Sequence, residues 1–304
     1  MTELRALQPS PADDIGTLPP SPGELSWRRA KRHPGLIIGL SVVSFVVLVA
    51  LFAPWITPHD PYAQDLGKRL IEPVWTPLGS WDHILGTDSL GRDLLSRLMY
   101  GARISLSISF GAALISAVIG TVIGIIGGYF GGRVDAVVTY LINVKLSLPA
   151  LLVAVAVIAV IGATPLILML VIGALVWDRY AVVIRSAVQQ LRNQEFVLAA
   201  RMTGASHRRV LFSELLPNIT SHIIVIVSLE LGIVILIEAI LSFLGLGIQP
   251  PNPSWGLLVA EGRNFMFLKP YLVIIPGLTI FFLVVAINLA GDGLRDILTP
   301  EGRS

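Results

Sequence analysis

The sequence predicts an all-α integral membrane fold of six transmembrane helices with both termini cytoplasmic. Three observations carry that reading. Of the 304 residues, 54% are hydrophobic and only 14% are charged, and the mean hydropathy is +0.77, far from the balance of a soluble domain. Apolar runs near 35–56, 103–128, 134–161, 163–184, 220–246 and 271–291 are each long enough to cross a hydrocarbon core of roughly 30 Å, which takes about 20 helical residues. The runs are continuously apolar and not alternating, which excludes a closed barrel. Lipid offers no partner to backbone groups, so each run must be helical.

Orientation follows from Lys and Arg in the connections. The cluster Trp27-Arg28-Arg29-Ala30-Lys31-Arg32-His33 directly precedes the first run and argues for a cytoplasmic amino terminus. Counting outwards, thirteen Lys and Arg residues fall on the inner side and seven on the outer, most of the seven in one long loop. The chain then divides into a basic leader at 1–33, expected to be disordered because its start is Pro-rich and has no long apolar core, a first span with an outer loop at 34–100, a transmembrane core at 101–292, and a tail at 293–304. The third run holds Asn143, Lys145 and Pro149, which predicts a kink or an early start on the inner side. Small residues in the second run, among them Gly120, Gly124 and Gly128, predict close helix–helix approach.

Between the fourth and fifth runs, residues 192–218 are too polar to span. Residues 194–203 are good helix formers, Gly204 can take the left-handed conformation that ends a helix, Ser206 can cap the next, and Pro217 is expected to stop it. Physics alone allows two readings: a helix pair lying on the membrane surface, or a rigid connector whose small residues Ala199, Ala200 and Gly204 admit a close approach by another subunit.

The spacing of Ala199-Ala200, Gly204 and Leu216-Pro217 resembles the Glu-Ala-Ala loop of bacterial ABC importer permeases. Three further stretches resemble the second, C-type permease of the dipeptide, oligopeptide and nickel importers. These are His83-Ile84-Leu85-Gly86-Thr87-Asp88-Ser89-Leu90-Gly91-Arg92-Asp93 with Ser96-Arg97, Leu241-Ser242-Phe243-Leu244-Gly245-Leu246-Gly247 with Pro253-Ser254-Trp255-Gly256, and Gly291-Asp292-Gly293-Leu294-Arg295-Asp296. The resemblance, from about residue 35 to 300, implies the type I importer permease fold, a bacterial inner-membrane location, and import of peptides or a similar small solute by alternating access. Nickel, glutathione and opine-like solutes are the alternatives, and the substrate is not readable here. The implied partners are a homologous second permease chain, one or two ATP-binding subunits that carry ATP and Mg, and an external substrate-binding protein. The loop would couple to the ATPase through Ala199, Ala200, Gly204, Arg208, Arg209, Leu216 and Pro217. Leu198 stands where that loop usually carries an acid, and Glu214 where it is usually apolar.

Charged residues elsewhere leave alternatives open. Asp88, Arg92, Asp93 and Arg97 are spaced for exposed i, i+4 pairs, either a solvated face or a seat for a binding protein. Glu230 and Glu238 lie on one helix face, roughly 12 Å apart along the axis. With Lys145 they either hold helices together or line the translocation path, since charge at such depth avoids lipid. Asp178 and Arg179 are expected near the inner end of the fourth span.

Enzymatic chemistry finds no constellation. No phosphate-cradling Gly-x-x-x-x-Gly-Lys loop, no His-Glu-x-x-His and no Gly-x-Ser-x-Gly is present. The five His residues, 33, 59, 83, 207 and 222, show no metal-ligand spacing, and Cys is absent. The expectation is a chain that binds no cofactor or metal and hydrolyses no ATP. A stand-alone secondary transporter or channel is disfavoured by the lack of an internal repeat and of a dense intramembrane charge relay.

Overall fold

The computed structural model describes residues 29–298, and the expectations placed on leader residues 1–28 and tail residues 299–304 lie outside them. Among the described residues the regular elements are helices, joined by irregular segments such as 57–93 that carry isolated bridges but no extended strand. Ten helices follow one another: α1 Pro34–Ile56, α2 Leu94–Phe130, α3 Gly132–Ser147, α4 Ala150–Ile161, α5 Pro165–Leu175, α6 Trp177–Leu191, α7 Glu195–Met202, α8 His207–Phe243, α9 Trp255–Gly262 and α10 Tyr271–Leu298. Five helical stretches among the described residues are long and apolar enough to span, and α3 with α4, bent by 78°, makes a sixth if the pair is one span. Leu148-Pro149 supplies the break, because the residue before a proline is pushed out of helical conformation. The kink expected at Pro149 is there.

Three boundaries differ from the sequence expectation. Helix α2 begins at Leu94 and not near 103, because Asp93 caps it by accepting a bond from the Ser96 N–H at 2.8 Å. The fourth span is interrupted at Val176, so Asp178 and Arg179 lie midway between Pro165 and Leu191 and not near an end. Pro217 does not stop a helix. A π-turn at Val210–Leu215 precedes it, with the Leu216 N–H bonded to the Leu211 carbonyl, and Pro217 falls in the first turn after it, where its missing donor is not needed. The second hairpin helix and the fifth span are therefore one 37-residue element.

Packing centres on α2, whose largest contact is with α6. A Cβ at Gly120 would sit 2.4 Å from the Trp177 carbonyl oxygen, and one at Gly128 2.8 Å from that of Arg185. Only glycine lets the two backbones approach so closely, as small-residue stripes do in membranes. Side chains such as Phe45, Leu170, Phe281 and Phe282 remain exposed around the bundle, as lipid-facing positions should. The bundle has two ends. One carries α7 and the 192–218 segment; the other carries the 57–93 loop and α9.

Candidate functional site

At the first end, α7 and the start of α8 form a hairpin turning at Gly204, whose φ is +82° with open space around it. Ser206 caps α8 from the Arg209 N–H at 3.4 Å, and the Ala205 N–H bonds the Ala200 carbonyl. Val197, Val210, Leu215 and Ile219 are fully buried against Tyr129, Ile184 and Val188 of α2 and α6. The hydroxyl of Tyr129 lies 2.8 Å from His207 Nδ1, and the Arg201 guanidinium lies 4.7 Å above its ring. The hairpin is thus bolted to the bundle by one face. Its other face presents Ala199, Gly204, Arg208, Arg209 and Pro217 as exposed, with Ala200 and Leu216 half-buried at the seam. Sequence reasoning overlooked Met202, 88% exposed near the Gly204 turn, and Phe212, 67% exposed at the start of α8. Their signal was available: large apolar residues in a segment otherwise too polar to span.

At the opposite end, the charged quartet is not solvated. Asp88, Arg92, Asp93 and Arg97 are all buried. Asp88 Oδ2 accepts from both Arg92 Nε and Arg97 Nη1 at 2.6 Å, and Glu261 of α9 accepts from Arg92 Nη2 at 3.1 Å and Arg97 Nη1 at 2.6 Å. The expected Asp93–Arg97 pair does not form, because Asp93 is committed to Ser96 and to His83 Nδ1, 3.0 Å away. That commitment leaves one acid for two guanidiniums, so a further carboxylate was required; Glu261 was missed because its partners lie more than 160 residues away. The quartet shapes the loop and pins α9 to it. At the rim, the Lys269 hydrogen bond to Glu72 (2.6 Å) holds that carboxyl below its ordinary range, and Lys68 does the same to Asp82 at 2.7 Å.

Between the two ends, Glu238, Lys145 and Glu230 each meet a different set of partners. Glu238 accepts from Ser105 Oγ of α2 at 3.1 Å and from Ser242 Oγ at 2.9 Å, while the Trp255 N–H bonds Ser105 Oγ at 3.2 Å. It is an internal hub joining α2, α8 and α9 and lines no open face of this chain. Lys145 is paired with Asp178 at 3.4 Å, which ties the bent span to α6, as does the Arg185 bond to Asp135 at 2.8 Å. Glu230 is buried and meets Arg179 Nη1 at 3.3 Å, and its second oxygen has no partner among the described residues. Arg179 is 53% exposed midway along the fourth span. Of the path candidates, only Glu230 reaches an open face, and it does so through a residue placed elsewhere by sequence reasoning.

Comparisons with known proteins match this architecture. Residues 120–303 match the model of the binding-protein-dependent transport system inner membrane component, and residues 21–73 that of the N-terminal transmembrane domain of oligopeptide transport permease C. The di/tripeptide transport system permease protein DppC of Pseudomonas aeruginosa (strain UCBPP-PA14) is 39% identical, covering 98% of both chains. The dipeptide transport system permease protein DppC of Escherichia coli (strain K12) is 42% identical over 93% of this chain and 95% of its own. Among solved structures, the MetNI methionine ABC transporter in an inward-facing conformation matches with a TM-score of 0.53 at 19% identity, over 66% of this chain and 96% of that one, a likeness of fold alone. The fold is that of the type I ABC importer permeases, and the chain belongs to the family of binding-protein-dependent transport system inner membrane components.

Proposed function

We propose that this chain is one half of the transmembrane pathway of an ATP-driven importer of di- or oligopeptides in the bacterial inner membrane, with both termini cytoplasmic. The observation that carries the reading is the hairpin. It is fastened to α2 and α6 by buried residues, while exposed Met202, Phe212, Arg208 and Arg209 face outward for another subunit. A rigid connector of this kind transmits force from an ATPase that binds ATP and Mg; a helix pair merely lying on lipid has no need of the Tyr129 clasp. The peptide cargo is supported by the names of the relatives, which cover nearly the whole chain.

The pathway half rests on Arg179. A guanidinium half-exposed midway along a span is costly against lipid, so its face belongs to a water-filled path or to a second, homologous permease chain, with Glu230 as its counter-charge. An external binding protein would seat on the opposite end, whose shape the Asp88–Arg92–Arg97–Glu261 network sets. Reconstitution in liposomes with a second permease, the ATP-binding subunits and the binding protein tests the proposal. Dipeptides should drive uptake and vanadate-sensitive ATP hydrolysis, and Met202→Asp should abolish ATPase recruitment while leaving the chain folded. Uptake by this chain alone would overturn the ATP-driven reading; uptake of nickel, glutathione or an opine but not of dipeptides would overturn the cargo.

A further inference from the structure

We propose that the 57–93 loop and the start of α2 form a binding site for a divalent cation of the zinc type, held by His59, His83 and Asp93. The sequence shows no such spacing, since the two histidines stand far apart in the chain. The fold stacks their rings with centroids 4.5 Å apart and brings one ligand atom from each of the three residues within 4.8 Å of the others. Asp93 Oδ1 lies 3.0 Å from His83 Nδ1 and 3.8 Å from His59 Nδ1. Tetrahedral zinc with bonds of about 2.0–2.1 Å needs its ligand atoms about 3.3 Å apart, so the two Asp93 distances already stand within about half an ångström of that spacing.

The surroundings are those of a built site. Asp93 spends Oδ2 on the Ser96 N–H and Oγ, which leaves Oδ1 for a cation. Ser96 Oγ also accepts from the His59 N–H at 3.1 Å, fixing that residue's backbone to the same helix start. His83 is buried with Nε2 unpartnered, and His59 Nδ1 is buried and unpartnered while facing Asp93. On the far side of both rings stands Asp82, 3.5 Å from each Nε2 and held by Lys68. A histidine that binds metal through one nitrogen commonly donates its other N–H to a carboxylate, and Asp82 is placed to orient both. The guanidiniums of Arg92 and Arg97, which flank Asp93 in sequence, are neutralised by Asp88 and Glu261, so they offer little repulsion. Two imidazoles and one carboxylate with a remaining open position suit zinc or a similar borderline cation and not Mg or Ca.

The test uses the untagged full chain in nanodiscs, stripped with EDTA and titrated with ZnCl2 by calorimetry. Cobalt is added in parallel to read tetrahedral coordination from its visible absorption. One saturable site per chain is expected, insensitive to millimolar MgCl2. Asp82→Asn should weaken it about 10- to 100-fold, and His59→Gln and His83→Gln should weaken it further. His222→Gln, on α8 and outside the cluster, should leave it unchanged. Because His83 is buried, His59→Gln is the decisive variant: its ring is partly exposed and its loss leaves the Asp93–His83 bond intact. Absence of saturable binding, or binding of equal affinity in His59→Gln and wild type, would overturn the proposal.

Discussion

The two ends of the bundle treat charge in opposite ways. At the loop end, Asp88, Arg92, Arg97 and Glu261 turn inward and pair with one another, although Arg97 Nε and Nη2 stay buried without a partner among the described residues; at the hairpin end, Arg208 and Arg209 point outward while apolar residues provide the anchorage. A charged run therefore says little about where a partner binds. What distinguishes the ends is whether the charges have already found partners within the chain.

The contrast can be broken by substitution, and the effects on stability fall in a definite order. Asp88→Asn replaces the oxygen shared by Arg92 and Arg97 with a donor, leaving a fully buried guanidinium facing an N–H group. A cost of about 3–5 kcal/mol is expected, measured as detergent-solubilised unfolding. A cost no larger than that of Arg208→Ala would mean that the inward network does not hold the loop end together. Glu238→Ala strands the Ser105 and Ser242 hydroxyls inside the bundle and should cost about 1–3 kcal/mol. Its unfolding transition should fall between those of Asp88→Asn and a hairpin variant.

A smaller and pH-dependent effect belongs to Glu72. Lys269 lowers its folded-state pKa, so the unfolded chain binds more protons and the pair stabilises the fold above the ordinary carboxylate range. That contribution should fade as pH drops below about 4, through the depressed value, and Lys269→Gln should flatten this part of the profile of unfolding temperature between pH 6 and 3. Smallest of all, Met202→Asp should change stability by no more than about 0.5 kcal/mol, since the side chain projects into open space. A large destabilisation there would show that the tip is packed and not presented.

Local chemistry was legible where local rules decide the outcome. The bend at Leu148-Pro149 and the turn at Gly204 follow from backbone restrictions of the residues themselves. Pro217 was misjudged because the rule for proline assumes a regular α-helix, and the π-turn at 210–215 gives the chain another way past it. The loop-end network escaped because periodicity carries no information about partners such as Glu261 or the meeting of His59 with His83. The same limit left the role of Glu238 open between helix packing and the path, since Ser105, Ser242 and the Trp255 backbone assemble around it only in three dimensions.

Helix α2 starts at the Asp93 cap and ends beside Tyr129, the residue clasped by Arg201 and His207, with no break among its 37 residues. At 1.5 Å per residue it is a rod of about 55 Å. Rotated about its hairpin end by about 5°, such a rod sweeps its far end through about 5 Å, comparable to one helical turn. The far end is Asp93, so a small rocking at one surface becomes, by lever arithmetic alone, a displacement of side-chain size at the other.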